Sequence, residues 1–170
     1  MLGQSVRHLR LDPMGNSMNG AFVLNPGEGR SIELGGCTMS VKATQEQTSG
    51  AFSLLEADEP PGFGPPLHIH HDAIEAFYVL AGEYIIFIDE QEFTCSAGTF
   101  VFIPPGIVHG FRVGGVPSRK LNLYTPAAMI GYFDDLAEAI KTGSVDPKVL
   151  SDVALRYSME VLGPVPEGYV

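Results

Sequence analysis

The sequence is poor in cysteine and in basic charge, and it has no long apolar run. Its two cysteines, Cys37 and Cys95, cannot build a disulfide framework and match no CxxC spacing. Reduced thiols in a cytoplasm are therefore expected, with a lone Cys37 to Cys95 bridge the less economical alternative. Ten Lys and Arg stand against twenty Asp and Glu, a net charge of −10 at pH 7. A surface of that sign repels phosphate backbones and anionic lipid heads, which argues against nucleic acid and membranes as partners. No stretch approaches the roughly 18 consecutive apolar residues of a membrane span, and the opening MLGQSVRHLRLDPMG lacks the apolar centre of a signal peptide. Also missing are a GxSxG elbow, a phosphate loop ending in GK, and an HExxH pair. What is there is a foldable chain: 170 residues, 45% apolar and only 18% charged, with 20 Gly and 13 Pro. That composition fits one turn-rich domain and excludes disorder over most of its length.

Between Ala21 and Thr125, short runs rich in Val, Ile, Phe, Tyr and Thr alternate with Gly, Pro, Asn and Asp, the rhythm of an all-β sandwich or barrel. Strands are predicted at Ala21 to Leu24, Cys37 to Ala43, Ala51 to Ala57, Pro66 to His70 and Glu75 to Ala81. Further strands are predicted at Tyr84 to Asp89, Thr99 to Ile103, Val108 to Val113 and Lys120 to Thr125. The acidic run Asp89 to Glu92 reads as a solvated hairpin tip, and Arg112, Arg119 and Lys120 as a solvated rim. Thr125 as cap, Pro126 at the first helical position and Gly143 as stop predict one helix. Asp146 and Pro147 open a second, with Val149, Val153, Tyr157 and Val161 as its apolar stripe and a stop at Gly163. The expected organisation is an N-terminal arm over residues 1–20, a barrel over 21–125, and helices over 126–170 that lie on the barrel or cover one of its openings.

Four of the five histidines fall in two blocks, Gly62 to Gly82 and Gly98 to Val113. On a strand, His68 and His70 face one side together while Ile69 and His71 face the other. Glu75 can open the next strand toward the same interior, followed by Phe77 and Val79, and His109 arrives from a later strand. Three imidazoles and a carboxylate inside an apolar barrel would each cost several kcal/mol if left unpaired; one divalent metal resolves that. Structural zinc is closed by four tetrahedral ligands, whereas iron, manganese, nickel, cobalt or copper held by three His and one Glu keep positions open for chemistry. His71 reads as an exposed side chain with at most a supporting contact to the site, and His8 as solvated.

Gly62-x5-His68-x-His70-x4-Glu75-x6-Gly82 and Gly98-x5-Pro104-x-Gly106-x2-His109 resemble the two motifs of the cupin superfamily. The departure is Val113, where the second motif ordinarily has Asn. The resemblance implies a double-stranded β-helix of the jelly-roll kind with metal held by His68, His70, Glu75 and His109. From Val23 to Phe133 the chain is also similar to bacterial monocupin quercetin 2,3-dioxygenases, most of all in PPGFGPPLHIHH followed by EAFYVLAGE. That likeness implies O2-dependent cleavage of a flavonol or related enolisable polyphenol, with Glu75 taking the enol proton. Phe77 and Phe111, and more weakly Phe52, would then wall the pocket for a flat aromatic substrate. Alternatives are a metal-assisted decarboxylase, isomerase or cyclase, and a non-enzymatic small-molecule binder. Pairing through strands and an N-terminal segment, as cupins often do, makes a homodimer the expected assembly.

Overall fold

The computed structural model describes residues 20–143 and 146–166, so the N-terminal arm and His8 lie outside the described residues. The strands are β1 (Arg30–Leu34), β2 (Cys37–Ala43), β3 (Ser53–Glu59), β4 (Leu67–His70), β5 (Ile74–Ala81), β6 (Glu83–Ile88), β7 (Gln91–Ser96), β8 (Phe100–Ile103), β9 (His109–Val113), β10 (Ser118–Thr125) and β11 (Met159–Gly163). Two helices, α1 (Met129–Lys141) and α2 (Pro147–Leu155), come between β10 and β11. All strand pairs are antiparallel. They form two sheets, ordered β1-β2-β3-β10-β5-β8 and β11-β4-β9-β6-β7, in a jelly-roll fold. No helix among the described residues is long and apolar enough to cross a membrane.

Period-two alternation makes the sandwich. In β2, Cys37, Met39, Val41 and Ala43 are buried while the residues between them are half-exposed, so one face packs and the other meets water. One core cluster joins β1, β2 and β3 to Met129, Ile130 and Phe133 of α1 and to Ala154 of α2. A second joins Phe77 and Val79 of β5 to Tyr84, Ile86, Phe111 and Val113 of the facing sheet. Cys37 belongs to the first and Cys95 to the second, and both are free thiols. Burial, reinforced by the charge of Glu59, pushes the Cys37 thiol up to about 12.

The structure departs from the predicted elements at five places. Ala21 to Leu24 form no strand; Val23 is 70% exposed, and the chain pairs only after the turn in which Glu28 accepts from the Asn25 amide at 2.7 Å. Gly29 then passes so close to β2 that a Cβ would meet the Val41 carbonyl oxygen at 2.6 Å. Second, only Asp89 and Glu90 make the turn after β6, and Gln91 and Glu92 already pair with Ile88 and Phe87. An edge strand with one wet face carries polar residues that imitate a loop.

Third, Thr125 caps no helix, because its hydroxyl donates to the Ala51 carbonyl at 2.8 Å. The first helix starts three residues beyond Pro126, with Ala128 at its cap position. Fourth, the second helix, capped as expected by Asp146 on the Lys148 amide, ends at Leu155 rather than continuing to Gly163. Met159–Gly163 instead pairs with β4, Met159 against His70 and Val161 against His68. A four-residue apolar interval satisfies a strand face as well as a helix face, and the unpaired edge of β4 decides between them. Fifth, Lys120 is not on a solvated rim. It is 1% exposed, its ammonium meets Glu59 Oε1 at 2.6 Å and Oε2 at 2.5 Å, and the Tyr84 hydroxyl donates to Glu59 Oε2 at 2.6 Å. Its neighbour Arg119 points outward to Asp58 at 2.6 Å, and Arg112 donates to the Pro166 carbonyl at 3.1 Å.

Removing one member of a buried ion pair strands the other, at about 3–5 kcal/mol. Lys120→Met is therefore expected to lose that much stability in urea unfolding, and Glu59→Gln/Lys120→Met to regain most of it. A single variant as stable as the parent would show the pair to be energetically idle.

Candidate metal centre

Three strands converge on a single buried point. His68 and His70 project from β4, Glu75 from the beginning of β5, and His109 from the beginning of β9, directly opposite His68 in the ladder. All four are buried, and one donor atom from each lies within 4.8 Å of every other. Glu75 Oε2 is 3.0 Å from His109 Nε2, 3.2 Å from His70 Nε2 and 3.9 Å from His68 Nε2.

The outer nitrogens show which way the rings present themselves. His68 Nδ1 lies 2.8 Å from the Pro66 carbonyl and His109 Nδ1 lies 2.9 Å from that of Ile107. A carbonyl only accepts, so both Nδ1 atoms carry hydrogen and both Nε2 atoms aim a lone pair at the carboxylate in the neutral rings. His70 Nδ1 is buried with no hydrogen-bond partner among the described residues. The other carboxylate oxygen is held from β10, where Asn122 Nδ2 donates to Glu75 Oε1 at 2.7 Å and the Tyr124 hydroxyl at 2.9 Å. Oε1 is thereby committed to the scaffold, and Oε2 is left to the imidazoles.

The electrostatics follow from that division. Burial alone would push the Glu75 carboxyl up, but the imidazoles of His109, His68 and His70 clustered around it outweigh burial and hold it well below the usual range. Burial lowers His68. Burial also works against the charged form of His109, yet its contact with Glu75 leaves it raised. The Tyr124 hydroxyl is held far above its usual range by burial and by the Glu75 charge, so it stays a donor.

A divalent cation fits this set. One proton can bridge one imidazole to Oε2, whereas three Nε2 atoms face the same oxygen, and only a shared cation meets them all. Adjacent ligands on an ion with bonds near 2.1 Å stand about 3 Å apart, the separation that Oε2 keeps from His70 and His109.

The site opens on a cavity of about 580 Å³. Phe77 and Phe111 line it, with ring centroids 6.4 Å apart, and Tyr132, Leu136 and Leu150 close it from the helices. Both helices thus contribute residues to the cavity lining. Phe52 does not line the cavity: it is half-buried beside the inward Ser53 and therefore has the opposite parity. His71 points outward to Glu160 at 3.1 Å. Sequence reasoning missed Asn122 and Tyr124, although the alternation in KLNLYT, once anchored by the inward parity of Tyr124, places Asn122 and Lys120 inward with it.

Loss of a group that orients a ligand weakens metal binding by about 10- to 100-fold. Asn122→Ala is expected to show that weakening for a divalent first-row ion in titration calorimetry, at unchanged stoichiometry. Parental affinity would contradict the positioning role of Asn122.

The family model for the cupin domain matches residues 55–121. Over 117 residues the chain is 27% identical to quercetin 2,3-dioxygenase from Bacillus subtilis, covering 69% of this chain and 35% of that protein. The chain therefore spans about a third of that relative's length. A predicted oxalate decarboxylase from Thermotoga maritima superimposes with a TM-score of 0.57 at 20% identity, covering 62% of this chain and 99% of the other. The polyketide cyclase RemF from Streptomyces resistomycificus does so with a TM-score of 0.55 at 21% identity, covering 61% and 78%. These structural likenesses bear on the fold alone. The jelly roll, the cupin-domain model over residues 55–121 and the paired histidine motifs agree in making the chain similar to the cupin superfamily.

Proposed function

We propose that this protein is a metal-dependent dioxygenase that cleaves a flavonol or a related enolisable polyphenol. The observation that carries the reading is the placement of one ionised carboxylate oxygen, Glu75 Oε2, among three imidazole nitrogens at the wall of an apolar cavity lined by aromatic rings. The likeness to the Bacillus subtilis quercetin 2,3-dioxygenase supports it for the part of the chain that aligns.

His68, His70, Glu75 and His109 would hold one divalent ion, with iron, manganese, nickel, cobalt or copper favoured over zinc. When bound, such an ion supplies Lewis-acid stabilisation of an enolate and redox chemistry toward O2. The rest belongs to the chain itself. Glu75 Oε2 accepts the enol proton, while Asn122 and Tyr124 keep Oε1 fixed so that the carboxylate does not rotate away. Phe77 and Phe111 confine the flat ring system against the site. Tyr132, Leu136 and Leu150 shield that end of the cavity from bulk water.

A metal-assisted cyclase, isomerase or decarboxylase would use the same base without consuming O2. The test is flavonol absorbance and O2 uptake, followed together, for protein loaded with each of the five ions. Loss of flavonol matched by O2 uptake is expected, with Glu75→Gln slower by about 10²- to 10⁴-fold per bound metal. No loss with any ion would overturn the reading, and anaerobic turnover would favour the second class.

A further inference from the structure

An antiparallel sheet that shows one face to water ordinarily carries polar residues there. The six-stranded sheet follows that rule over only half of its outer face. Across β1, β2 and most of β3 the outward residues are polar, among them Glu33, Thr38, Ser40, Glu56 and Asp58. They also engage one another, since the Thr38 hydroxyl donates to Glu33 at 2.9 Å and Lys42 stands 3.5 Å from Glu56. Beyond them the chemistry changes. The outward residues of β10, β5 and β8 include Leu121, Leu123, Tyr78, Leu80, Phe100 and Phe102, and apart from Arg119 at the margin none on these strands is charged. Tyr78 lies between Phe100 and Leu121 in the ladder, and the small Ala76 between Phe102 and Leu123. Cross-strand neighbours at that spacing form one continuous apolar field.

The field is open to water. Phe100 is 63% exposed, Phe102 54%, Tyr78 43% and Leu80 40%. Side chains of that size leave roughly 400 Å² of apolar surface exposed among the four, as large as the patches that mark binding surfaces. The free edge of β8 is a poor alternative attachment point. It is four residues long and runs into Pro104 and Pro105, which offer a neighbouring strand no amide hydrogen.

The chemistry of the field selects its occupant. It carries no charge to attract a protein of opposite sign, and a net charge of −10 opposes an anionic lipid surface. A second copy of the same field fits it. Sheets stack face to face about 10 Å apart, and a twofold axis sets aromatic residues on aromatic residues. Arg119, held by Asp58 at 2.6 Å, then falls at the margin, which gives the apolar centre and polar rim of a stable interface. Such an interface buries about 800 Å² on each side. The four exposed side chains supply about half of that, and the half-buried Leu54, Leu121 and Leu123 with the rim supply the remainder.

We propose that two copies of this chain form a twofold dimer by stacking the apolar half of the outer face of the six-stranded sheet, over β10, β5 and β8. This contact differs from the pairing through strands and an N-terminal segment expected above. Tyr78 and Ala76 alternate along β5 with Phe77 and Glu75, so the interface lies directly behind the metal centre and uses none of the six outward residues for the cavity lining.

Sedimentation velocity on the full chain at micromolar concentration is expected to show a species of twice the 18.2 kDa chain mass. Phe100→Lys adds a charge that folding leaves in water but stacking buries twice over by symmetry, and is expected to weaken the dimer at least about 100-fold. Phe102→Thr keeps strand propensity and is expected to weaken it about 10-fold, so it carries the test if the lysine variant does not fold. Ser40→Lys, on the polar half of the same face, is expected to leave the dimer unchanged. Circular dichroism identifies the folded variants. A full chain that stays monomeric at about 100 μM overturns the proposal. So does a dimer retained in the folded Phe100 or Phe102 variant, which places assembly elsewhere, or an equal loss in Ser40→Lys.

Discussion

Everything at the centre of this molecule depends on one electrostatic problem: a buried carboxylate oxygen is surrounded by imidazole nitrogens, two of which have their outer N–H groups tied to backbone carbonyls. Buried acceptors facing one another are unfavourable without a cation between them. The fold maintains the problem instead of relaxing it. Asn122 and Tyr124 hold Oε1, the Pro66 and Ile107 carbonyls hold two rings, and β11 closes the edge of the strand that carries His68 and His70. A metal is the economical solution, and the surrounding structure is arranged to receive one.

The jelly roll suits this task because its two sheets bring distant stretches of chain to one interior point. Glu75 comes from the six-stranded sheet and the three histidines from the five-stranded one. Every ligand sits on or at the start of a strand, where ladder hydrogen bonds fix the backbone. The helices then finish the cavity rather than the barrel, since α1 contributes both to the core beside Tyr124 and to the lining above the site.

Much of this is legible in the residues. The spacing of His68, His70, Glu75 and His109 carries the site because a two-residue strand period puts His68 and His70 on one face, and the cupin motif supplies the rest. Pairing partners are not legible in the same way. Val161 reads as the end of a helical stripe until the open edge of β4 is seen, and Gln91 reads as a loop because an edge strand need hide little. Lys120 shows the limit most clearly. In sequence it is one of two adjacent cations beside a turn, and only the alternation along β10, anchored by Tyr124 against Glu75, shows that Arg119 faces water while Lys120 faces Glu59. Thr125 carries the right chemistry for a helix cap, but tertiary contact with Ala51 takes its hydroxyl first.

The most direct measurement is metal analysis combined with X-ray absorption at the metal edge, on protein saturated with a single divalent first-row ion and dialysed free of excess. The account expects one ion per chain, with a first shell of three imidazoles and one carboxylate, and loss of that spectrum in His109→Ala. A folded protein that retains no ion, or one whose ion shows no imidazole ligation, would contradict it.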